Sequence, residues 1–370
     1  IAGTTSCDDF LDREPMSSIS PETYYSTAAQ LEANLNDEYP NVLPSFGQWT
    51  YGIFGEDKGT DNQIEVNAND RYTQDRWKVP HSESDNWKFE RIYRINFFLS
   101  EALPKFGEDM SGSQNTISGS VATIKHYIGE MYFLRAYEYF KKLQLFGDFP
   151  IINQPLADEM EALREASKRF PRNEVARFII SDLDKAYAYM SDVDMATTRI
   201  NKDVAMLVKS RVALFEATWL QNFKGTAFVP GGEGWPGASL HNNYQYPSGN
   251  IDNEVKYFLE QAVEASKLVA DKYKGSLTEN TGVLQQSADD PSNPYFDMFA
   301  QEDLSDVKEV LLWRQYARGL STHNINAAAG RGNYRIGLTR GFVQNFLMKD
   351  GTPVYAHGSY ADGDGYYMGD

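Results

Sequence analysis

The chain has almost no cysteine. Cys7 stands alone among 370 residues, which excludes an intrachain disulfide and any zinc site built from cysteines. It has no run of roughly 18 apolar residues, the length a membrane-spanning helix needs, and its mean hydropathy is −0.53. Positive charge is short as well: 35 Lys and Arg face 52 Asp and Glu, for a net charge of −17. A surface of that sign repels phosphate backbones, so no nucleic-acid partner is expected. The five histidines (His81, His126, His241, His323, His357) are scattered, without His-x3-His or His-Glu-x2-His spacing. No G-x-S-x-G elbow appears. With 52 carboxylates in the chain, an acid pair for glycoside hydrolysis cannot be argued from spacing. Nothing in the sequence demands catalysis, and an enzyme is not expected.

Aromatic residues are abundant: 14% of the chain, with 23 Tyr and 21 Phe. They suit either a Tyr-rich helical core or a surface on which sugar rings stack. The length allows one large domain or two ordinary ones.

The organising stretch is Ile124 to Pro150. Ile128, Tyr132, Tyr139, Leu143 and Phe146 recur on one helical face, and Phe133, Ala136, Tyr137 and Phe140 on its neighbour. A helix apolar around so much of its circumference packs between other helices. Gly129 would admit a neighbouring backbone, and Glu130, Arg135, Glu138, Lys141 and Lys142 are expected to keep a polar strip. His126 reads as a satisfied core or edge residue. Gly147 is placed to cap the C-terminus, and Pro150 stops continuation.

Other helices follow by the same signals. Ser20-Pro21-Glu22-Thr23 opens one whose stripe is Tyr24, Ala28, Leu31 and Leu35, as far as Tyr39-Pro40. A second starts near Ser84, with Trp87, Ile92, Ile95, Phe98 and Leu99 inward. Ala157 to Ala166 reads as a short helix. Pro171-Arg172-Asn173-Glu174 opens a helix built on Val175, Phe178, Ile179, Leu183 and Ala186. Arg199-Ile200-Asn201-Lys202 introduces the next, with Ala205, Val208, Val212, Phe215 and Trp219 inward. Asn253 to Tyr273 follows, built on Val255, Leu259, Val263 and Val269. Val307 to Tyr316 reads as a strand, and Thr339 to Met348 as a last short helix. Residues 41–80, 107–119 and 222–249 read as loops. The expected fold is mainly α, with stacked helix hairpins, long irregular loops and a few short strands.

Two motifs fail on context. Gly232-Glu233-Gly234-Trp235-Pro236-Gly237 fits G-x-G-x-x-G by letter, but no strand precedes it and Pro236 blocks a following helix, so it reads as a loop. Asp362-Gly363-Asp364-Gly365 resembles half a calcium loop, but Tyr366 stands at position five and no Glu closes it. No cofactor is expected, and a structural calcium ion is left open without being predicted.

Gly129-Glu130-Met131-Tyr132-Phe133-Leu134-Arg135-Ala136-Tyr137, followed by Leu145-Phe146-Gly147-Asp148-Phe149-Pro150, resembles the signature of the SusD/RagB family. Phe10-Leu11-Asp12-Arg13-Glu14-Pro15 is similar to the family's opening phrase. Trp87-x5-Tyr93-x2-Asn96 resembles the helix before the signature, and Lys349-Asp350-Gly351-Thr352-Pro353 a later phrase in which Asp-Gly makes a turn. The resemblance implies tetratricopeptide-like packing and non-catalytic capture of oligosaccharide at the cell surface. It also implies delivery to a SusC-like TonB-dependent transporter in the outer membrane. A RagB-like peptide binder is the alternative, and a glycoside hydrolase a weaker one. Small residues before Cys7, with Asp8-Asp9 after it, resemble a lipoprotein export signal, which makes Cys7 the expected lipid attachment point and the outer-membrane surface the expected location. The resulting division is an N-terminal segment over 1–20, a SusD-like helical domain over 21–357, and a Gly/Asp/Tyr-rich tail over 358–370. Members of the family continue further, so the C-terminal part of the family fold is expected to be missing.

A pyranose offers an apolar C–H face for ring stacking and hydroxyls for convergent polar groups. Two loop stretches carry that mix. Asp57 to Trp77 holds Asp61, Asn67, Asn69 and Tyr72; Tyr316 to Arg340 holds His323, Arg331 and Tyr334. In the resembling family, ligand contacts come from loops at these two places. A binding aromatic lies just before a Thr-Arg-x-Phe-Val helix, a position that is Tyr334 here. Trp49, Trp77 and Trp87 are read as core. Between Trp313 and Arg340 there are five Arg (314, 318, 331, 335, 340) and no acid. Arg331 or Arg335 could therefore meet an anionic sugar or a peptide carboxylate; pairing with the chain's own acids is the alternative.

Overall fold

One helix of 26 residues is buried around most of its circumference. The computed structural model describes residues 24–46, 55–65, 86–107, 109–190, 195–283, 287, 289–317, 319, 322–323 and 336–356. Its elements in chain order are α1 (Ala28–Val42), β1 (Gln63–Glu65), α2 (Glu90–Phe106), α3 (Val121–Phe146), α4 (Met160–Ala166), α5 (Arg172–Tyr189), α6 (Lys202–Asn222), α7 (Ile251–Tyr273), α8 (Pro294–Met298), β2 (Ile336–Leu338) and α9 (Arg340–Gln344). The chain divides into two compact units, residues 1–44 with 85–314, and residues 45–84 with 315–370.

The first unit is a stack of long helices. Between Ile124 and Leu143 of α3 only Lys125, Tyr137 and Lys141 are not buried. Ser120 caps its N-terminus through Thr123 N–H, and Gly147 ends it at φ +69°. α2 and α5 pack against α3, α6 against α5, and α7 against α6. Lys224 reaches Asp252 and Lys272 reaches Asp203, both at 2.6 Å, which sets α6 and α7 antiparallel. Gly129 does the work expected of it. A Cβ there would stand 2.8 Å from Met190 N and 3.0 Å from the Ala186 carbonyl, where the end of α5 crosses.

Helix starts agree with the capping signals where residues are described. Asn201 caps α6 and Asn250 caps α7, each accepting from the third residue on. α1 begins at Ala28 behind a Thr27–Gln30 capping box and carries Pro40 inside its last turn, so it runs past the expected stop to Val42. Ser20 to Thr23 and Ser84 lie outside the described residues. Trp87 precedes α2 and meets Phe146 and Phe149 edge-on at 4.9 Å, so it belongs to the core as expected. Trp49 and Trp77 lie outside the described residues.

Four expectations need correction. The polar strip on α3 does not face water: Glu130, Arg135, Glu138 and Lys142 are 0%, 3%, 5% and 7% exposed. The strand expected over Val307 to Tyr316 does not form. The Leu311 carbonyl accepts from the Asn201 amide, and the Trp313 backbone N–H donates to the Thr197 carbonyl, so local partners replace a ladder. On α7 the buried face is Phe258, Ala262, Ala265 and Val269, while Leu259 and Val263 point outward. The last helix is also shorter than expected, ending at Gln344.

Several of the buried charges form arginine–carboxylate clamps between helices. On α3, Arg135 forks onto Asp182 of α5 at 2.6 and 2.8 Å and donates to the side-chain Oδ1 of Asn96 on α2 at 2.9 Å. Arg172 of α5 reaches Glu216 of α6 at 2.8 Å and lies 4.1 Å over the Trp219 ring. Arg177 holds Glu254 of α7 at 2.7 and 2.8 Å. Arg199, before α6, forks onto Glu130, which also accepts from the Tyr39 hydroxyl at 2.6 Å. Burial, then the Glu130 charge, pushes that phenol well above its ordinary pKa and keeps it a donor. His126 is satisfied in the core, its Nε2 lying 3.0 Å from the Ile200 carbonyl and 3.1 Å from Glu130.

Candidate ligand-binding site

In the second unit the two ring- and amide-bearing stretches are tied together by their own backbone. β1 and β2 pair antiparallel, with Gln63 opposite Leu338, Ile64 opposite Gly337 and Glu65 opposite Ile336. β1 lies inside the stretch 57–77, and β2 inside the stretch 316–340. Three-residue strands are too short to show alternation, so both segments read as loop from sequence. Residues 66 and 335, which flank this ladder, lead directly into the candidate segments.

Local polar groups fix the ladder's ends. Thr339 N–H donates to the Asn62 carbonyl at 2.9 Å, and its hydroxyl donates to the Asp61 carbonyl. The same hydroxyl oxygen accepts from Phe342 N–H at 3.1 Å and so caps α9. Thr339 therefore joins the strand pair to the helix that follows. On the other side Gly59 N–H donates to the Gln63 carbonyl at 3.0 Å, and the Thr60 hydroxyl donates to the Asp57 carbonyl at 2.7 Å. The expected Asp-Gly turn is present: Gly351 has φ +84°, and Thr352 N–H donates to Asp350 Oδ1 at 2.9 Å.

Of the expected site residues, Asp61 and His323 are described, and both are exposed. His323 meets Tyr316 edge-on, with centroids 4.7 Å apart. Asn67, Asn69, Tyr72, Arg331, Tyr334 and Cys7 lie outside the described residues. Arg314 and Arg340 of the arginine run both have interaction partners; Arg318, Arg331 and Arg335 lie outside the described residues. The sequence reading missed Gln63. Its side chain is 6% exposed, and its Oε1 has no hydrogen-bond partner among the described residues. Ile64 and Leu338 are 53% and 49% exposed, so the strand pair presents apolar surface beside the candidate segments.

The Gly232–Gly237 motif is a loop, as its context required. Trp235 is buried there, and its indole N–H donates to Asp148 Oδ2 at 2.8 Å. Burial holds the Asp148 carboxyl above its usual range, opposed by hydrogen bonds from Trp235 and Arg172 N–H. Among the described residues no three His, Cys, Asp or Glu side chains converge as metal ligands. No described helix is long and apolar enough to cross a membrane.

A SusD-like family model, described as starch-binding and associating with the outer membrane, matches residues 9–214. The chain belongs to this SusD-like family. Two curated relatives come from Formosa agariphila. SusD-like protein P2 is 26% identical over 235 residues, covering 60% of this chain and 43% of the relative. SusD-like protein P25 is 25% identical over 233 residues, covering 58% and 41%. The matched region is thus less than half of either relative's length. Among solved structures, a SusD-like carbohydrate-binding protein from Bacteroides fragilis superposes with a TM-score of 0.52 at 14% identity, over 92% of this chain and 57% of that one. The mainly helical architecture is that of its SusD-like neighbour.

Proposed function

We propose that this chain captures oligosaccharide at the cell surface without altering it and presents it to a TonB-dependent transporter of the outer membrane. Family membership supports the ligand class. The observation that carries the reading is the β1–β2 pairing, which joins residues 63–65 of one stretch to 336–338 of the other, the two stretches that hold Asp61, Asn67, Asn69, Tyr72, His323, Arg331 and Tyr334. Stacking on Tyr334 and hydrogen bonds from the amides would hold a sugar with no chemical step. Cys7 is the proposed lipid anchor.

Isothermal titration with neutral and acidic oligosaccharides tests this. Saturable binding is expected, with no reducing sugar released. Tyr334→Ala is expected to weaken it about thirtyfold, the roughly 2 kcal/mol that truncating a central aromatic anchor costs, with an unchanged unfolding midpoint. A variant that binds as well as the wild-type chain removes Tyr334 from the site. The run of five arginines without an acid between Trp313 and Arg340 favours a second reading, peptide capture. Saturable binding of peptides with a free C-terminus, lost on amidation, with none of glycans, would replace the first reading with this one.

A further inference from the structure

The apolar stripe expected to bury α7 has an outward half that the fold does not use. Leu259 and Val263 are 37% and 63% exposed, and on α6 Leu207 and Leu214 are 43% and 51% exposed. All four line one open groove of about 690 Å³ between α6 and α7. Exposed apolar residues scattered singly are ordinary; four converging on one groove are not. Because α6 and α7 are antiparallel neighbours, the groove runs along both axes, and its walls repeat at spacings of seven and four residues. That is the surface into which a helix's ridges fit. An extended strand would leave half its backbone groups facing apolar walls.

Charge narrows the occupant. Arg211 is the one charged side chain lining the groove. It forms no ion pair with any described residue, in a chain of net charge −17. Elsewhere in the stack Arg135, Arg172 and Arg177 each reach a carboxylate on a neighbouring helix across an apolar seam. Arg211 is exposed on the wall of the groove, with the Tyr137 phenol in reach of its charge and no described acid paired with it.

We propose that the α6–α7 groove docks an amphipathic α-helix bearing an apolar stripe with one carboxylate placed against Arg211. The groove is built from the first unit alone, so the inference does not depend on the glycan reading.

The test is selection of helical peptides from a displayed library against the whole chain, followed by fluorescence anisotropy on the enriched sequences. Enrichment of apolar residues at i, i+3 or i+4, and i+7, with Asp or Glu inside the stripe, is expected. Leu214→Asp and Val263→Asp, both at exposed positions, should weaken binding at least about tenfold while the unfolding midpoint stays put. Arg211→Glu should shift the preference from acidic to basic peptides. No enrichment, or enriched peptides that bind all three variants as well as the wild-type chain, overturns the proposal. So does self-association in sedimentation velocity that Leu214→Asp abolishes, which would make a second copy the occupant. Glycan titration on the same variants should be unaffected, so failure here is distinguishable from failure of the sugar reading.

Discussion

The two units use polar groups in opposite ways. In the helical stack, acids such as Glu130, Asp182, Glu216 and Glu254 are fully buried and each is held by an arginine. Among the described residues of the second unit no apolar side chain is buried, and Asp61 and His323 face water. Its order comes from backbone hydrogen bonds and from Thr339. Groups satisfied inside the protein specify packing but are lost to a ligand. Polar groups that face water stay within reach of a ligand. If the second unit is the proposed binding surface and the first its scaffold, substitutions should sort accordingly.

The largest effect is expected at the α3–α5 clamp. Asp182→Ala leaves Arg135 buried without its acid and should cost about 3–5 kcal/mol in urea unfolding. Asp182→Leu combined with Arg135→Met should cost clearly less, because no uncompensated charge remains. Equal losses would mean that the clamp matters only as packing. Next comes Gly129→Ala. Alanine favours a helix by about 1 kcal/mol, but a Cβ placed 2.8 Å from Met190 N should outweigh that and destabilise by about 1–3 kcal/mol. A stabilised variant would show that α5 can move away freely.

A change in the second unit should behave differently. Thr339→Ala removes the α9 cap and the bonds of its hydroxyl, worth about 1 kcal/mol locally. Glycan titration should show weakened binding while global unfolding of the stack is unchanged; a fall in the global midpoint would merge the two units energetically. The smallest effect is a pH dependence at Glu254. Burial raises its pKa, but hydrogen bonds from Arg177, Asn173 and Ser248 N–H prevail and hold the carboxyl below its ordinary value. A depressed acid adds stability above its unfolded pKa and loses it as pH falls through the folded one. Glu216 is shifted upward, by burial set against Arg172, so it contributes with the opposite sign. The wild-type minus Glu254→Gln difference in unfolding midpoint isolates the Glu254 part, which should shrink as the solution is acidified below the ordinary carboxylate range. A difference that stays constant with pH removes the titration from the account.

The same contrast explains what the sequence could reveal. Long helices advertise themselves through caps and periodicity, as at Pro171-Arg172 and Asn201, and those starts agree with the structure. The α3 charges misled because an ion on a helix surface and one clamped between helices have the same spacing; only the partner's position separates them. On α7 the larger Leu259 and Val263 outweighed Ala262 and Ala265, although small residues are what let the antiparallel α6 approach. Val307 to Tyr316 has strand composition, but β-propensity is realised only where a partner edge exists. β1 and β2 are the reverse case, a pairing made by distant contact and invisible in two three-residue segments.

Hydrogen exchange measured by mass spectrometry, with and without a saturating oligosaccharide, tests the division between scaffold and site most directly. The account predicts slowed exchange in peptides covering 57–77 and 316–340, and no change in those covering α3 and α5. Protection confined to α3 and α5, with the two loop stretches unaffected, would contradict it.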